Sequence, residues 1–135
     1  MEELIVKAFE QSAEVKLSFV KKNVKTIISV VELIVDAFQE GNKVMLFGNG
    51  GSAADAQHIA AEFVNRFMIE RPPLPALALT TDTSVITSIG NDYNYDQIFL
   101  KQIKALGKDG DIAWGISTSG NSPNVLKALK VCKGM

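Results

Sequence analysis

Two short runs rich in Gly, Ser, Thr and Asn are the first candidates for chemistry in this 135-residue sequence: GNGGS at 48–52 and STSGNS at 117–122. Each run follows a short apolar segment and precedes a segment with helical character. Both loops would therefore lie at the carboxyl ends of parallel strands, where ligands bind. Free backbone N–H groups and a helix dipole favour an anion there, and neither loop carries a lysine. A phosphate monoester held by neutral donors fits this pattern, and two tight turns with capping serines are the alternative.

The first loop also matches the G-x-G-x-x-A pattern of dinucleotide-binding domains, through Gly48, Gly50 and Ala53. That pattern expects an acidic residue about twenty positions later, at the end of a second strand. The acid is missing at that place, and so is the lysine of a P-loop. A nucleotide-binding Rossmann domain is therefore poorly supported.

His58 and Glu62 are four residues apart on the helix that is predicted to follow the first loop, so they share one face. An imidazole and a carboxylate at this spacing can ligate one metal ion, and the carboxylate can also move a proton. The alternative is structural: Glu62 pairs with Arg66, and His58 is a surface histidine. Because the sequence has one histidine, a complete metal site needs ligands from elsewhere.

Asn91 and Asp92 follow another apolar stretch and are a further candidate for the same pocket. Asn and Asp also favour turns, so a turn is the alternative interpretation.

The elements that must position these residues follow from apolar periodicity and from breaker residues. Helices are predicted at 2–22, 24–38, 52–67, 83–89, 95–106 and 123–133, and strands at 43–47, 76–80 and 111–116. Ser52 is the predicted N-cap of its helix, with Asp55 completing a capping box. Strands that alternate with helices predict an α/β fold with a parallel sheet, in which two N-terminal helices (1–40) precede one core (41–135).

Composition bounds the class of protein. The net charge is −1 without a basic stripe, which argues against a nucleic-acid partner, and the apolar runs are too short for a membrane span. A single cysteine excludes an internal disulfide. The start of the chain does not resemble a signal peptide, so we expect a cytoplasmic protein. A three-stranded parallel sheet with open edges is a poor stopping point, so we expect that a C-terminal part is missing.

Three runs in combination resemble the phosphoheptose isomerases, which have the SIS (sugar isomerase) fold: GNGGSAADAQHIAAEF (48–63), GND (90–92) and GISTSGNSPNV (115–125). The resemblance extends over nearly the whole chain. It implies a three-layer, flavodoxin-like α/β/α domain. It also implies isomerisation of sedoheptulose 7-phosphate to D-glycero-D-manno-heptose 7-phosphate, an early step towards the heptose of lipopolysaccharide and other surface glycans. Homotetramers with active sites at subunit interfaces, and one zinc per subunit, are implied as well.

The resemblance also implies roles for particular residues. His58 and Glu62 would ligate zinc, and Glu62 would also be the catalytic base. The remaining ligands, a Gln and a His, would lie beyond Met135, and that His would be the general acid. The residues implied to contact the sugar phosphate are Asn49, Gly50, Gly51, Ser52, His58, Glu62, Asn91, Asp92, Ser117, Thr118, Ser119 and Ser122.

A non-catalytic alternative shares part of this pattern. A regulatory SIS-fold scaffold that binds the bacterial replication initiator resembles this chain in NRF (65–67) and ERPPLPA (70–76). The scaffold lacks a Glu at the position of Glu62, and it has Arg where this chain has Ser119. These two residues favour the enzyme.

Overall fold

The computed structural model describes residues 1–133. In chain order they form α1 (Glu2–Gln39), β1 (Val44–Gly48), α2 (Gly51–Val64), β2 (Ala76–Ala78), α3 (Thr83–Asp92), a 3-10 turn (Tyr95–Gln97), α4 (Ile98–Leu106), β3 (Ile112–Ile116) and α5 (Pro123–Cys132). The chain forms two compact units, of which the first is Met1–Val35 and the second begins at Asp36.

The second unit is built on a parallel sheet with strand order β2-β1-β3. Val44 of the central strand is paired with Ala76 on one side and with Ile112 on the other. Met45 and Phe47 pack into an apolar core with residues of α4 and α5. Val44 and Leu46 alternate with them, so they face the opposite side of the sheet, and they are also fully buried. Because both faces of β1 are covered, the expected layered α/β fold is confirmed.

The prediction of two N-terminal helices was wrong, because α1 is continuous from Glu2 to Gln39. The predicted boundary between the two helices lies within the polar run Lys21-Lys22-Asn23. No Gly or Pro occurs between Glu2 and Gln39, so nothing terminates the helix there. The Asn23 amide donates to the carbonyl of Phe19, one turn earlier, without interrupting the helix.

Helix α2 begins differently from the prediction. Its N-cap is Gly50, which has a φ of 57° and makes no side-chain cap. Ser52 lies inside the first turn and is buried, so the predicted capping box with Asp55 was wrong. The positive φ of Gly50 turns the chain into the helix earlier than a serine cap would.

Two further boundaries differ from the prediction. Helix α3 is longer than the predicted 83–89, because it continues to Asp92, so a turn at Asn91 and Asp92 was wrong. Its N-cap Asp82 accepts a hydrogen bond from the backbone N–H of Val85. The predicted helix 95–106 opens with the 3-10 turn. Pro123 begins α5 after Ser122 as predicted, although the Ser122 side chain makes no cap hydrogen bond.

The first unit is a helical segment whose apolar residues are largely exposed. Phe9 is 76% exposed, and Leu4, Val15, Phe19 and Val31 are each more than half exposed. Among the helices of residues 1–133, none combines the length and the hydropathy that a membrane crossing needs.

Candidate active site

The two Gly- and Ser-rich loops start side by side. Gly48 at the end of β1 pairs with Ile116 at the end of β3. A Cβ atom on Gly48 would lie 2.7 Å from the carbonyl oxygen of Ile116 and 2.8 Å from Cβ of Ser52. Only glycine therefore lets the first loop approach the end of β3 this closely.

The first loop leaves its backbone open to a ligand. Gly50 and Gly51 are exposed, and a Cβ on either residue would meet nothing within 4 Å. They lead directly into α2, whose N-terminal N–H groups and dipole favour an anion. Ser52 is buried against Gly48, so its side chain packs beneath the loop on the side away from solvent.

Three serines of the second loop gather their hydroxyl groups. Oγ of Ser117 lies 3.0 Å from Oγ of Ser122 and 3.4 Å from Oγ of Ser119. Oγ of Ser119 also accepts a hydrogen bond from the backbone N–H of Asn121, and Gly120 makes the turn with a φ of 67°. Thr118 is exposed beside them. Such a cluster of rotatable hydroxyls can donate several hydrogen bonds to one anion.

Side-chain amides join the first loop to the start of α5. Asn49 and Asn124 exchange two hydrogen bonds, with N···O distances of 2.9 Å and 2.8 Å. The Tyr95 hydroxyl donates to Oδ1 of Asn49 at 3.3 Å. The side chain of Asn49 is therefore held from two directions.

His58 and Glu62 lie on one face of α2, with Nε2 of His58 3.6 Å from Oε1 of Glu62. Their side chains are 74% and 35% exposed, so both are accessible to a ligand. The structural alternative of a Glu62–Arg66 pair is wrong, because Arg66 instead forms an ion pair with Glu70 at 2.6 Å.

Arg71 fixes the end of α2 next to Glu62. Its guanidinium donates to the backbone carbonyl oxygens of Glu62 at 2.6 Å and Phe63 at 2.8 Å. A cation at a helix C-terminus satisfies carbonyls that have no partner within the helix.

The donor set of His58 and Glu62 suits part of a zinc site, because zinc accepts imidazole nitrogen and carboxylate oxygen. Residues 1–133 contain no group of three or more His, Cys, Asp or Glu side chains that could hold a metal ion. Within the described residues, these two side chains could therefore supply two of the four ligands that a tetrahedral zinc site needs.

Asn91 and Asp92 lie exposed at the end of α3. The Asn91 amide donates to the Asp92 carboxylate at 2.9 Å. Within residues 1–133, neither side chain forms a hydrogen bond to either loop. The structure thus brings these two residues together, but it does not join them to the loops.

Sequence reasoning missed three residues around the site: Tyr95, Asn124 and Arg71. Asn124 offered a signal, since a polar residue in the first turn after a predicted ligand loop can face back towards the loop. Tyr95 contacts Asn49, which is 46 residues away in the chain, and Arg71 contacts backbone carbonyl groups. Neither kind of contact produces a spacing pattern in the sequence.

The second unit thus has the architecture expected of a SIS domain: a parallel α/β fold with two Gly- and Ser-rich loops at the carboxyl ends of its strands. The SIS domain family profile matches residues 8–135. The chain therefore belongs to the SIS domain family.

Within that family the chain is similar to phosphoheptose isomerases. It is 58% identical over 133 residues to the enzyme of Thermodesulfovibrio yellowstonii, covering 98% of this chain and 66% of the relative. It is 59% identical over 130 residues to that of Aquifex aeolicus, covering 96% and 68%. The solved structure of phosphoheptose isomerase from Neisseria gonorrhoeae matches with a TM-score of 0.89 at 45% identity, covering 98% of this chain and 69% of that one. The chain thus spans about two thirds of the length of these relatives.

Proposed function

We propose that the protein is a sugar-phosphate isomerase that converts sedoheptulose 7-phosphate to D-glycero-D-manno-heptose 7-phosphate. The observation that carries this proposal is the gathering of the Ser117, Ser119 and Ser122 hydroxyls beside the open GNGGS backbone. This arrangement suits a phosphate monoester held by neutral donors. The similarity to phosphoheptose isomerases over nearly the whole chain supports the particular substrate.

The proposed chemistry is a proton transfer between neighbouring carbons. A base removes the proton beside the carbonyl, an enediol forms, and the proton returns to the adjacent carbon. Glu62 is the proposed base, because its carboxylate is accessible and Arg71 holds the helix end that carries it. The proposed general acid is a histidine that follows residue 135. Holding the phosphate at the second loop fixes the reacting carbons relative to Glu62, which lowers the entropic part of the barrier.

Zinc is the proposed cofactor, with His58 and Glu62 as two of its ligands and a Gln and a His beyond residue 135 as the others. Bound there, the metal would polarise a substrate oxygen as a Lewis acid. The proposed substrate contacts are made by Asn49, Gly50, Gly51, Ser52, His58, Glu62, Asn91, Asp92, Ser117, Thr118, Ser119 and Ser122.

We further propose that the protein is a cytoplasmic homotetramer with active sites at subunit interfaces, and that it supplies heptose for surface glycans. The exposed apolar residues of α1 support the assembly, since a helix with Phe9, Val15 and Phe19 facing water gains free energy by packing against another subunit.

The experiment is an isomerase assay on the full-length protein with sedoheptulose 7-phosphate, comparing the parent with Glu62→Gln. We expect the variant to lose at least a hundredfold in kcat, in line with the 10²–10⁴-fold typical of a general base. Glu70→Gln is the control, because Glu70 is an exposed carboxylate whose partner is Arg66. A zinc-loaded tetramer that binds phosphate but does not turn over the substrate would instead favour the initiator-binding scaffold.

A further inference from the structure

The side chain of Asn49 has almost no hydrogen-bonding capacity left. Its Oδ1 accepts from Nδ2 of Asn124 and from the Tyr95 hydroxyl. Its Nδ2 donates one of two hydrogens to Oδ1 of Asn124. A carboxamide has two acceptor lone pairs and two N–H donors, so a single N–H remains.

The orientation of both amides follows from one backbone group. The N–H of Val125 can only donate, and it lies 2.9 Å from Oδ1 of Asn124. This contact places the oxygen of Asn124 towards Val125 and therefore turns its Nδ2 towards the oxygen of Asn49. The Tyr95 hydroxyl adds a second donor at the same oxygen.

Burial of Asn124 stabilises the hydrogen bonds between Asn124 and Asn49. Asn124 is only 2% exposed, so its amide cannot exchange these partners for water without losing hydrogen bonds. Tyr95 is exposed and contacts Asn49 from the solvent side.

We propose that Asn124 and Tyr95 are positioning residues that hold Asn49 so that it offers a ligand one N–H donor and no acceptor. The inference rests on the proposed function, in which Asn49 contacts the sugar phosphate. A donor of this kind matches a phosphate oxygen or the oxyanion that develops during enediol formation. It cannot accept a hydrogen bond from a sugar hydroxyl.

The test is a double-mutant cycle on the full-length protein, using Tyr95→Phe, Asn49→Ala and the double variant. Asn124 is buried, so its replacement risks the fold, whereas Tyr95→Phe removes one hydroxyl from an exposed side chain. We expect Tyr95→Phe to lower kcat/KM for sedoheptulose 7-phosphate about 2- to 10-fold, the effect of one neutral hydrogen bond. In the Asn49→Ala background the same change should have no effect, because the amide that Tyr95 orients is gone.

Tyr93→Phe is the matched control, since Tyr93 is similarly exposed and its ring lies against the ammonium of Lys101, 3.1 Å from the ring centroid. It should leave kcat/KM unchanged in both backgrounds. A Tyr95→Phe enzyme equal to the parent would overturn the inference, and so would losses that multiply in the double variant.

Thermal unfolding of the same four proteins separates the inference from the proposed function. If the parent does not turn over the substrate, the proposed function is contradicted. The unfolding midpoints still test whether the Tyr95 hydroxyl is hydrogen-bonded to Asn49. Tyr95→Phe should then lower the midpoint only where Asn49 is present. Equal shifts in both backgrounds, or no shift in either, would overturn the inference.

Discussion

Oε1 of Glu62 lies 3.6 Å from Nε2 of His58, one helical turn earlier on α2. Both side chains are exposed to solvent at least in part, and each ends in a preferred zinc donor. A metal ion between them would replace this contact by two coordinate bonds.

We therefore predict that His58→Ala weakens zinc binding by the full-length protein. The loss should reach or exceed the roughly 10- to 100-fold that removal of an outer-shell partner typically causes, because a direct ligand is removed. Zinc content after dialysis against a graded chelator series measures the effect without reference to activity. Gln57→Ala, which changes the exposed neighbouring residue of α2, should retain the zinc content of the parent.

Ser117 is the centre of the hydroxyl cluster, so Ser117→Ala should weaken phosphate binding. Loss of a hydrogen bond to a charged group costs about 1.5–3 kcal/mol, which is roughly a 10- to 100-fold rise in the inhibition constant of inorganic phosphate. Competition between inorganic phosphate and the sugar phosphate provides the measurement. Ser88→Ala is the control, because that hydroxyl donates to a carbonyl of its own helix, α3. Equal inhibition constants for parent and Ser117→Ala would show that the cluster does not hold the phosphate.

Gly48→Ala should destabilise the protein, because its Cβ would meet the Ile116 carbonyl and the Ser52 side chain at less than 3 Å. Overpacking at a close contact costs about 1–3 kcal/mol in the free energy of unfolding. Gly90→Ala is the matched change, since a Cβ there meets nothing within 4 Å and Gly90 lies within α3. That variant should gain up to about 1 kcal/mol. Urea unfolding of the two variants compares them directly, and a tolerated Gly48→Ala would contradict the close approach of the two loops.

We predict that the Asp111 carboxylate stabilises the folded protein and that this contribution to the free energy of unfolding is lost at acidic pH. Its side chain is 3% exposed, and its carboxylate accepts hydrogen bonds from the Lys43 ammonium and from the backbone N–H groups of Lys43 and Lys108. Burial acts to raise the pKa of Asp111, but these donors outweigh it and hold the pKa below its ordinary 3.8. A carboxyl whose pKa is lower in the folded state stabilises the protein above its unfolded pKa. That contribution is lost as the pH falls through the lowered value.

Asp111→Asn should therefore lower the free energy of unfolding by about 1.5–3 kcal/mol near neutral pH. The difference from the parent should shrink as the pH falls below the ordinary value of 3.8. Urea unfolding across this pH range gives both quantities. Asp109→Asn, at an exposed neighbouring carboxylate, should follow the parent at every pH. A constant difference between Asp111→Asn and the parent would mean that the charge of Asp111 contributes nothing.

The exposed apolar residues of α1 predict an assembly that depends on them. Phe9→Asp together with Phe19→Asp should reduce the mass in solution below that of the proposed tetramer, because burying a carboxylate in an apolar contact is costly. Light scattering of the full-length protein measures the mass. Lys7→Asp with Lys16→Asp introduces the same number of carboxylates at positions that are already charged, and it should leave the mass of the proposed tetramer unchanged. A parent protein that is monomeric at working concentration would contradict the proposed assembly.

The order of strands and helices could be predicted from the sequence, because apolar residues recur at a different spacing in each type of element. Helix ends were harder to predict. Ser52 has the residue type of an N-cap, but the positive φ of Gly50 starts the helix before it. The break predicted within α1 was wrong because a short polar run does not end a helix that contains neither Gly nor Pro.

The candidate loops were found from their composition, since Gly, Ser and Asn in a strand-to-helix turn have a direct physical meaning. The Asn49–Asn124 pair was not found, because its members are 75 residues apart and are brought together by the pairing of β1 with β3. A reciprocal amide contact requires no particular spacing, so local patterns cannot predict it.

The strand order has a consequence for how the chain is made. Strand β1 is synthesised before its partner strand β3. Lys43, next to β1, and Asp111, next to β3, form a hydrogen bond but are 68 residues apart in the chain. At a typical elongation rate of ~5–20 residues per second, several seconds pass before β3 leaves the ribosome. During that interval an apolar strand that ends up fully covered is available for wrong pairing. We therefore expect nascent chains of this protein to be prone to wrong pairing between the emergence of β1 and that of β3, the interval in which a chaperone would improve the yield of folded protein.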